Sequence, residues 1–144
     1  MQPRLTAITL GVHDVPASAR FYQALGFVRK VRATGDEVVF LDAGGLVVAL
    51  YPWHLLAEDA HQPTAPRPTA FRGTTLAWNR GSAADVDAAM AQAVAAGATV
   101  LKPPQPTPWG GYAGYFADPD DHPWEVVHAP MFPMSADGAL RLPD

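Results

Sequence analysis

The sequence contains no cysteine, which removes disulfides, thiolate nucleophiles and cysteine-ligated zinc from consideration. No apolar run is long enough to span a bilayer, and no charged start leads into an apolar segment. The expectation is therefore a cytoplasmic protein with no membrane partner. Basic clusters are missing too, and the formal net charge is −4, which disfavours a polyanionic partner and argues against nucleic acid. Also lacking are the Gly-x-Ser-x-Gly elbow, the phosphate-cradling and dinucleotide-binding glycine patterns, and any His-x-x-x-His pair of a helical metal site.

What remains is a chain of 144 residues, 49% hydrophobic and 17% charged, enough for one globular domain with a sizeable core. Fifteen prolines are many for this length, and their clusters mark connections between patterned segments.

The pattern reads twice as strand, helix and three strands. In the first half, 5–12 is rich in β-formers and ends at Asp14, a helix-capping residue followed by a tolerated first-turn proline, Pro16. The helix carries Ala19, Phe21, Tyr22 and Leu25 and stops at Gly26, and strand patterns follow at 27–33, 37–42 and 46–51. In the second half, 74–78 is a strand, and Ser82 with Asp85 resembles a capping box. That helix carries Val86, Met90 and Val94 and stops at Gly97, before strand patterns at 99–101, 112–117 and 124–128. The pattern gives module one at 4–53, an extended, exposed connection at 54–72 and module two at 73–130. A tail, 131–144, follows. The proline-rich stretch 102–108 reads as an interruption of the second module.

The segment WGGYAGYFADPDDHPWEVVH, 109–128, carries the clearest chemistry. Its Asp-Pro-Asp-Asp turn joins two aromatic-rich strands, and Asp118, Asp120 and Asp121 suit turn formation better than a calcium loop. The second strand holds one ionisable residue, Glu125, among Trp124, Val126 and Val127. A carboxylate in such company must be solvated, paired or used, because burying it alone is costly. His128, three residues on, falls on the opposite strand face.

The stretches ITLGVHDVPASARFYQALGF, AVAAGATVLKPP and GYFADPDDHPWEVV are similar to the vicinal oxygen chelate superfamily, which includes glyoxalase I, bleomycin-resistance proteins and extradiol dioxygenases. The resemblance implies an α+β fold of two βαβββ modules in a single domain over 1–130, with curved mixed sheets that enclose a pocket, and a homodimer. Metal-dependent members place one ligand on the first and last strand of each module. Carried over one at a time, those positions fall on Ala7, on Ala49 or Val47, on Thr74 or Thr75, and on Glu125. One carboxylate and one hydroxyl are a poor set for a divalent ion, so no metal and no cofactor is expected.

Two functions are then compatible with the residues. One is a metal-independent glyoxalase-like enzyme acting on a small organic molecule with Glu125 as general base. Thr9 and Thr74 would orient that molecule, and Trp78, Trp109 and Tyr112 would enclose it. The other is a non-catalytic protein that sequesters a small, aromatic compound, as bleomycin-resistance relatives do. A metal-dependent lyase or dioxygenase ranks behind both.

Overall fold

Strand, helix and three strands follow one another twice in the computed structural model, which describes residues 3–144. The first unit, ending at Arg72, holds β1 (Ala7–Val12), α1 (Val15–Ala24), β2 (Val28–Lys30), β3 (Val39–Asp42), β4 (Val47–Pro52) and α2 (Trp53–Asp59). The second, from Gly73, holds β5 (Leu76–Asn79), α3 (Ala83–Ala96), β6 (Thr99–Pro106), β7 (Tyr112–Ala117) and β8 (Pro123–His128). The sheet orders are β1-β4-β3-β2 and β5-β8-β7-β6, the same topology twice. In each, the first and last strands run parallel and every other pair antiparallel. The α+β expectation and its internal repeat are what the chain forms.

The repeat extends to how the two long helices start and stop. Asp14 accepts from the Ala17 N–H at 2.9 Å, and Ser82 accepts from the Asp85 N–H at 3.1 Å. The Ser82 hydroxyl also donates to the Asp85 carboxylate at 2.8 Å, so the cap is closed side chain to side chain. Past the last turn, Gly26 (φ +99°) and Gly97 (φ +109°) take the left-handed conformation that costs a glycine nothing. Each helix then closes with the same two bonds: Gly26 N–H to Gln23 O and Phe27 N–H to Tyr22 O, Gly97 N–H to Val94 O and Ala98 N–H to Ala93 O. Phe27 meets Tyr22 edge-on, with ring centroids 5.7 Å apart, which adds the apolar contact that accompanies this ending.

Alternation along the strands separates a helix-covered face from the other. In the first unit Val12, Val39, Leu41, Val48 and Leu50 are buried on one face, with Tyr22 of α1. In the second, Phe116, Trp124 and Val126 are buried with Val86, Met90 and Ala93 of α3. Phe116 and Trp124 sit level across β7 and β8, their rings parallel within 3°. These buried aliphatic and aromatic side chains supply the main drive to fold, roughly 1.5–3 kcal/mol each.

Two expectations need correction. The connection after β4 is not extended throughout: it opens with helix α2, whose Trp53, Leu56 and Ala57 recur at helical spacing and lie half-buried or buried. Room for it comes from Gly11. A Cβ there would stand 2.9 Å from Trp53 Cε3 and 3.3 Å from Trp53 Cα, so only glycine lets the helix approach β1 this closely. Stretch 102–106, in turn, continues strand β6 instead of interrupting it. The register slips between Val100 and Lys102 and again between Lys102 and Gln105, one extra residue each time. Pro103 and Pro104 fall in the second slip, where no partner needs their missing N–H.

Gly11→Ala is expected to lower stability by about 1–3 kcal/mol through overpacking against Trp53. A fall in the urea midpoint at unchanged m-value measures this, and Trp53→Leu in the same chain should recover part of the loss.

Candidate functional site

The turn between β7 and β8 fixes which side chains face each other. The Asp118 carboxylate is buried and accepts from the Asp120 N–H at 2.9 Å and the His122 N–H at 2.8 Å. The Asp118 N–H donates to His122 O at 3.0 Å, and the Asp121 N–H to Asp118 O at 3.0 Å. Asp121 takes a positive φ of 64°, which a short polar residue tolerates better than most. The turn reading of these aspartates therefore holds. From this closure, Ala117 pairs with Pro123, Phe116 with Trp124, and Tyr115 with Glu125.

Alternation then decides the company of each residue. Trp124 and Val126 face α3. Glu125 faces the other way, between Ala77 of β5 and Tyr115 of β7, its direct neighbours across the sheet. The Tyr115 phenol is the cross-strand neighbour of the Glu125 carboxylate and feels its charge. Burial first, and then the interaction with the Glu125 carboxylate and its negative charge, push the Tyr115 phenol above the ordinary tyrosine range. Glu125 therefore has a partner that the family positions did not suggest. A turn closing at Ala117 and Pro123 makes paired residue numbers sum to a constant, and that count points to Tyr115.

The other anticipated site residues disperse. Trp78 is level with Val126, on the α3 side of the sheet, and carries the Arg80 guanidinium 4.8 Å from its ring centroid. Tyr112 is level with His128 on that same side, and its hydroxyl donates to Asp87 of α3 at 2.8 Å. That hydrogen bond is the first cause of the upward push on the Tyr112 phenol. Neither residue stands on Glu125's face, and Thr74 lies before β5 begins and has no partner on β8. Trp109 belongs to a tight β6–β7 turn. Thr107 N–H donates to Gly111 O, Gly110 N–H to Thr107 O, and Gly111 N–H to Thr107 Oγ1, at 2.9, 3.2 and 2.9 Å. The Trp109 ring lies over Gly111, where a Cβ would come within 2.1 Å of it, yet remains 48% exposed. Thr9 lies exposed in the first unit, level with Ala49.

The register also refines the family's ligand positions. Ala7 is level with Val47, the alternative position, while Ala49 is level with Thr9; Glu125 is level with Ala77, and Thr74 and Thr75 lie before β5. Among the described residues, no three His, Asp or Glu side chains gather as metal ligands. No helix of the described residues is long and apolar enough to cross a membrane.

Two mixed four-stranded sheets in this order, each with its first and last strands parallel, define a glyoxalase-type fold. A model of the Glyoxalase/Bleomycin resistance protein/Dioxygenase superfamily matches residues 4–126, and the chain belongs to that superfamily. It is similar to a glyoxalase-related enzyme from Fulvimarina pelagi, with 36% identity, TM-score 0.86, and coverage of 98% of this chain and 99% of that one. A glyoxalase/bleomycin resistance protein/dioxygenase from Nocardioides shares 28% identity at TM-score 0.72, covering 89% and 84% of the two chains. A lactoylglutathione lyase from Agrobacterium tumefaciens shares the fold at 23% identity and TM-score 0.65, over 89% and 95%. No curated protein matches the chain.

Asp118→Ala leaves two backbone N–H groups without an acceptor and is expected to cost about 2–4 kcal/mol in urea unfolding, whereas Asp118→Asn keeps an acceptor oxygen and loses less. Tyr115 generates a second expectation. Its phenol titrates above the usual value near 10 in the folded chain, so the neutral form is favoured there. The stability linked to it is complete below the unfolded pKa and is lost as pH rises through the raised one. Tyrosinate absorbance of the wild type minus that of Tyr115→Phe isolates this titration. Glu125→Gln should move it down only partway, because burial remains.

Proposed function

We propose that the chain acts on a small organic molecule without a divalent metal, Glu125 taking a proton from it. The observation behind this reading is the Glu125–Tyr115 pair on the sheet face away from α3, with the small Ala77 on its other side. A carboxylate offers about four lone-pair sites, and one tyrosine donor occupies only one of them. In this reading the neighbouring Tyr115 phenol orients the group and leaves acceptor capacity for a ligand, while the Ala77 methyl leaves space beside it.

The donor set argues against the family's metal chemistry. In the second unit Glu125 stands level with Ala77, and in the first Thr9 stands level with Ala49 and Ala7 with Val47. Neither strand pair by itself offers more than one oxygen-bearing side chain, whereas a divalent ion takes three or more good ligands. In the proposed step an acidified C–H beside a carbonyl gives its proton to Glu125 Oε. The electron pair stays on the substrate as an enolate, and the proton returns to a carbon or oxygen of it. Tyr115 holds the carboxylate in place throughout. A second reading is sequestration of a flat ligand, and the half-exposed Trp109 ring favours it.

Hydroxyacetone, the smallest ketone with an activated C–H beside a hydroxyl, serves as probe. Deuterium wash-in from D2O, followed by proton NMR, should be catalysed by the wild type. It should fall by about 100-fold or more in Glu125→Gln, the scale of a lost general base. Exchange should persist in EDTA. Loss in EDTA overturns the metal-free reading. Binding of an aromatic probe that survives Glu125→Gln but not Trp109→Ala, with no exchange in the wild type, would establish sequestration instead.

A further inference from the structure

The carboxyl ends of β5 and β8, the approach to α3 and the first residues of the tail line a half-open pocket of about 260 Å3. Asn79, Arg80 and His128 form its polar side, and Phe132, Pro133 and Met134 its apolar side. No aspartate or glutamate lines it. His128 projects from the face of β8 opposite to Glu125, so the pocket is a feature apart from the Glu125–Tyr115 pair.

Arg80 is held by its backbone and its stem. Its N–H donates to Val127 O at 2.7 Å, its carbonyl meets His128 Nδ1 at 3.2 Å, and its guanidinium stacks on Trp78. The Nε–H is nevertheless buried without a hydrogen-bond partner, and no ion pair joins Arg80 among the described residues. A buried donor left unmade is costly, most of all on a charged group. The carbonyl of Arg80 can only accept, so His128 carries its proton on Nδ1, and its other ring nitrogen has no partner among the described residues.

We propose that this pocket is a second binding site and takes a small organic carboxylate. The carboxylate supplies the acceptor that the fixed guanidinium lacks, in the paired geometry that arginine's fork favours. The apolar body lies against Phe132, Pro133 and Met134. The volume suits a ligand smaller than a drug-sized molecule, about that of a single ring with one acid group. Tail residues form the apolar wall because the tail is closed on itself. Met134 bridges Leu140, Arg141 N–H donates to Pro133 O at 2.9 Å, and the Ser135 hydroxyl bonds both Asp137 and the Ala139 carbonyl.

The experiment titrates the full chain with benzoate, benzamide and inorganic phosphate, by calorimetry and by NMR of the tryptophan indole N–H signals. Benzoate should bind saturably at millimolar concentration or below and shift the Trp78 signal. Benzamide, of the same shape without the charge, should bind about tenfold more weakly or worse. Arg80→Gln should weaken benzoate by a similar factor. Arg80→Lys keeps the charge, and should lose several-fold for want of the fork. Phe132→Ala should weaken benzoate and leave phosphate unchanged. Absence of saturable benzoate binding, benzamide binding equal to benzoate, or benzoate affinity untouched by both Arg80 variants would each overturn the proposal. Phosphate binding as tight as benzoate would overturn the organic-acid assignment.

Discussion

The Asp118 carboxylate, buried in the turn between β7 and β8, is the contact on which the second unit's chemistry rests. Holding two backbone N–H groups of that turn, it sets the number of residues in the turn and therefore the register of two strands. A slip of one residue would send every side chain of β8 to the other face. Glu125 would then point into the apolar layer under α3, and Trp124 would lose its stack on Phe116. One short-range polar contact thus determines both where the core lies and where the carboxylate is presented. The expense of burying this polar group is offset because one of its oxygens accepts from two backbone donors.

Once register is set, parity along the strands does the rest. Glu125 falls between a methyl and a phenol, a setting in which a carboxylate is oriented but not saturated. The aromatic side chains nearest in sequence are divided by the same rule. Trp78, Tyr112 and Trp124 belong to the α3 side, where they serve packing, an inter-element hydrogen bond and a cation stack. Composition alone makes this look like an aromatic wall around a ligand. Direction, which composition does not carry, reassigns most of it to structure.

Much of the fold could be read from the chain because its signals are local. Asp14 and Ser82 ahead of the helices, Gly26 and Gly97 behind them, and alternation in the strands each act within a few residues. What was not legible depended on distant partners. Helix α2 exists because Gly11, some forty residues earlier, leaves its face of β1 bare, although the 53, 56, 57 spacing in a short apolar run was a usable hint. Lys102 to Pro106 remains in the sheet because β7 accommodates two slips, with Gly114 letting Pro104 approach. At the candidate site, Glu125 was legible as an ionisable group in apolar company. Its partner Tyr115 required a register, and the expected alignment of Thr74 and Trp78 with it failed for the same reason. Arg80 was overlooked because nothing in sequence distinguishes a guanidinium that finds an acceptor from one that does not.

The prolines of β6 carry a consequence beyond this chain's own hydrogen bonds. β6 is the last strand in its sheet, and an exposed edge is a template on which a strand of another molecule can add itself. Pro103, Pro104 and Pro106 present no N–H, and the two slips bend the edge out of a continuous ladder. An incoming strand would meet carbonyls without the alternating donors it needs to zip along. The same residues that make β6 hard to recognise as a strand make it a poor seed for aggregation, leaving this side of the molecule refractory to runaway intermolecular pairing.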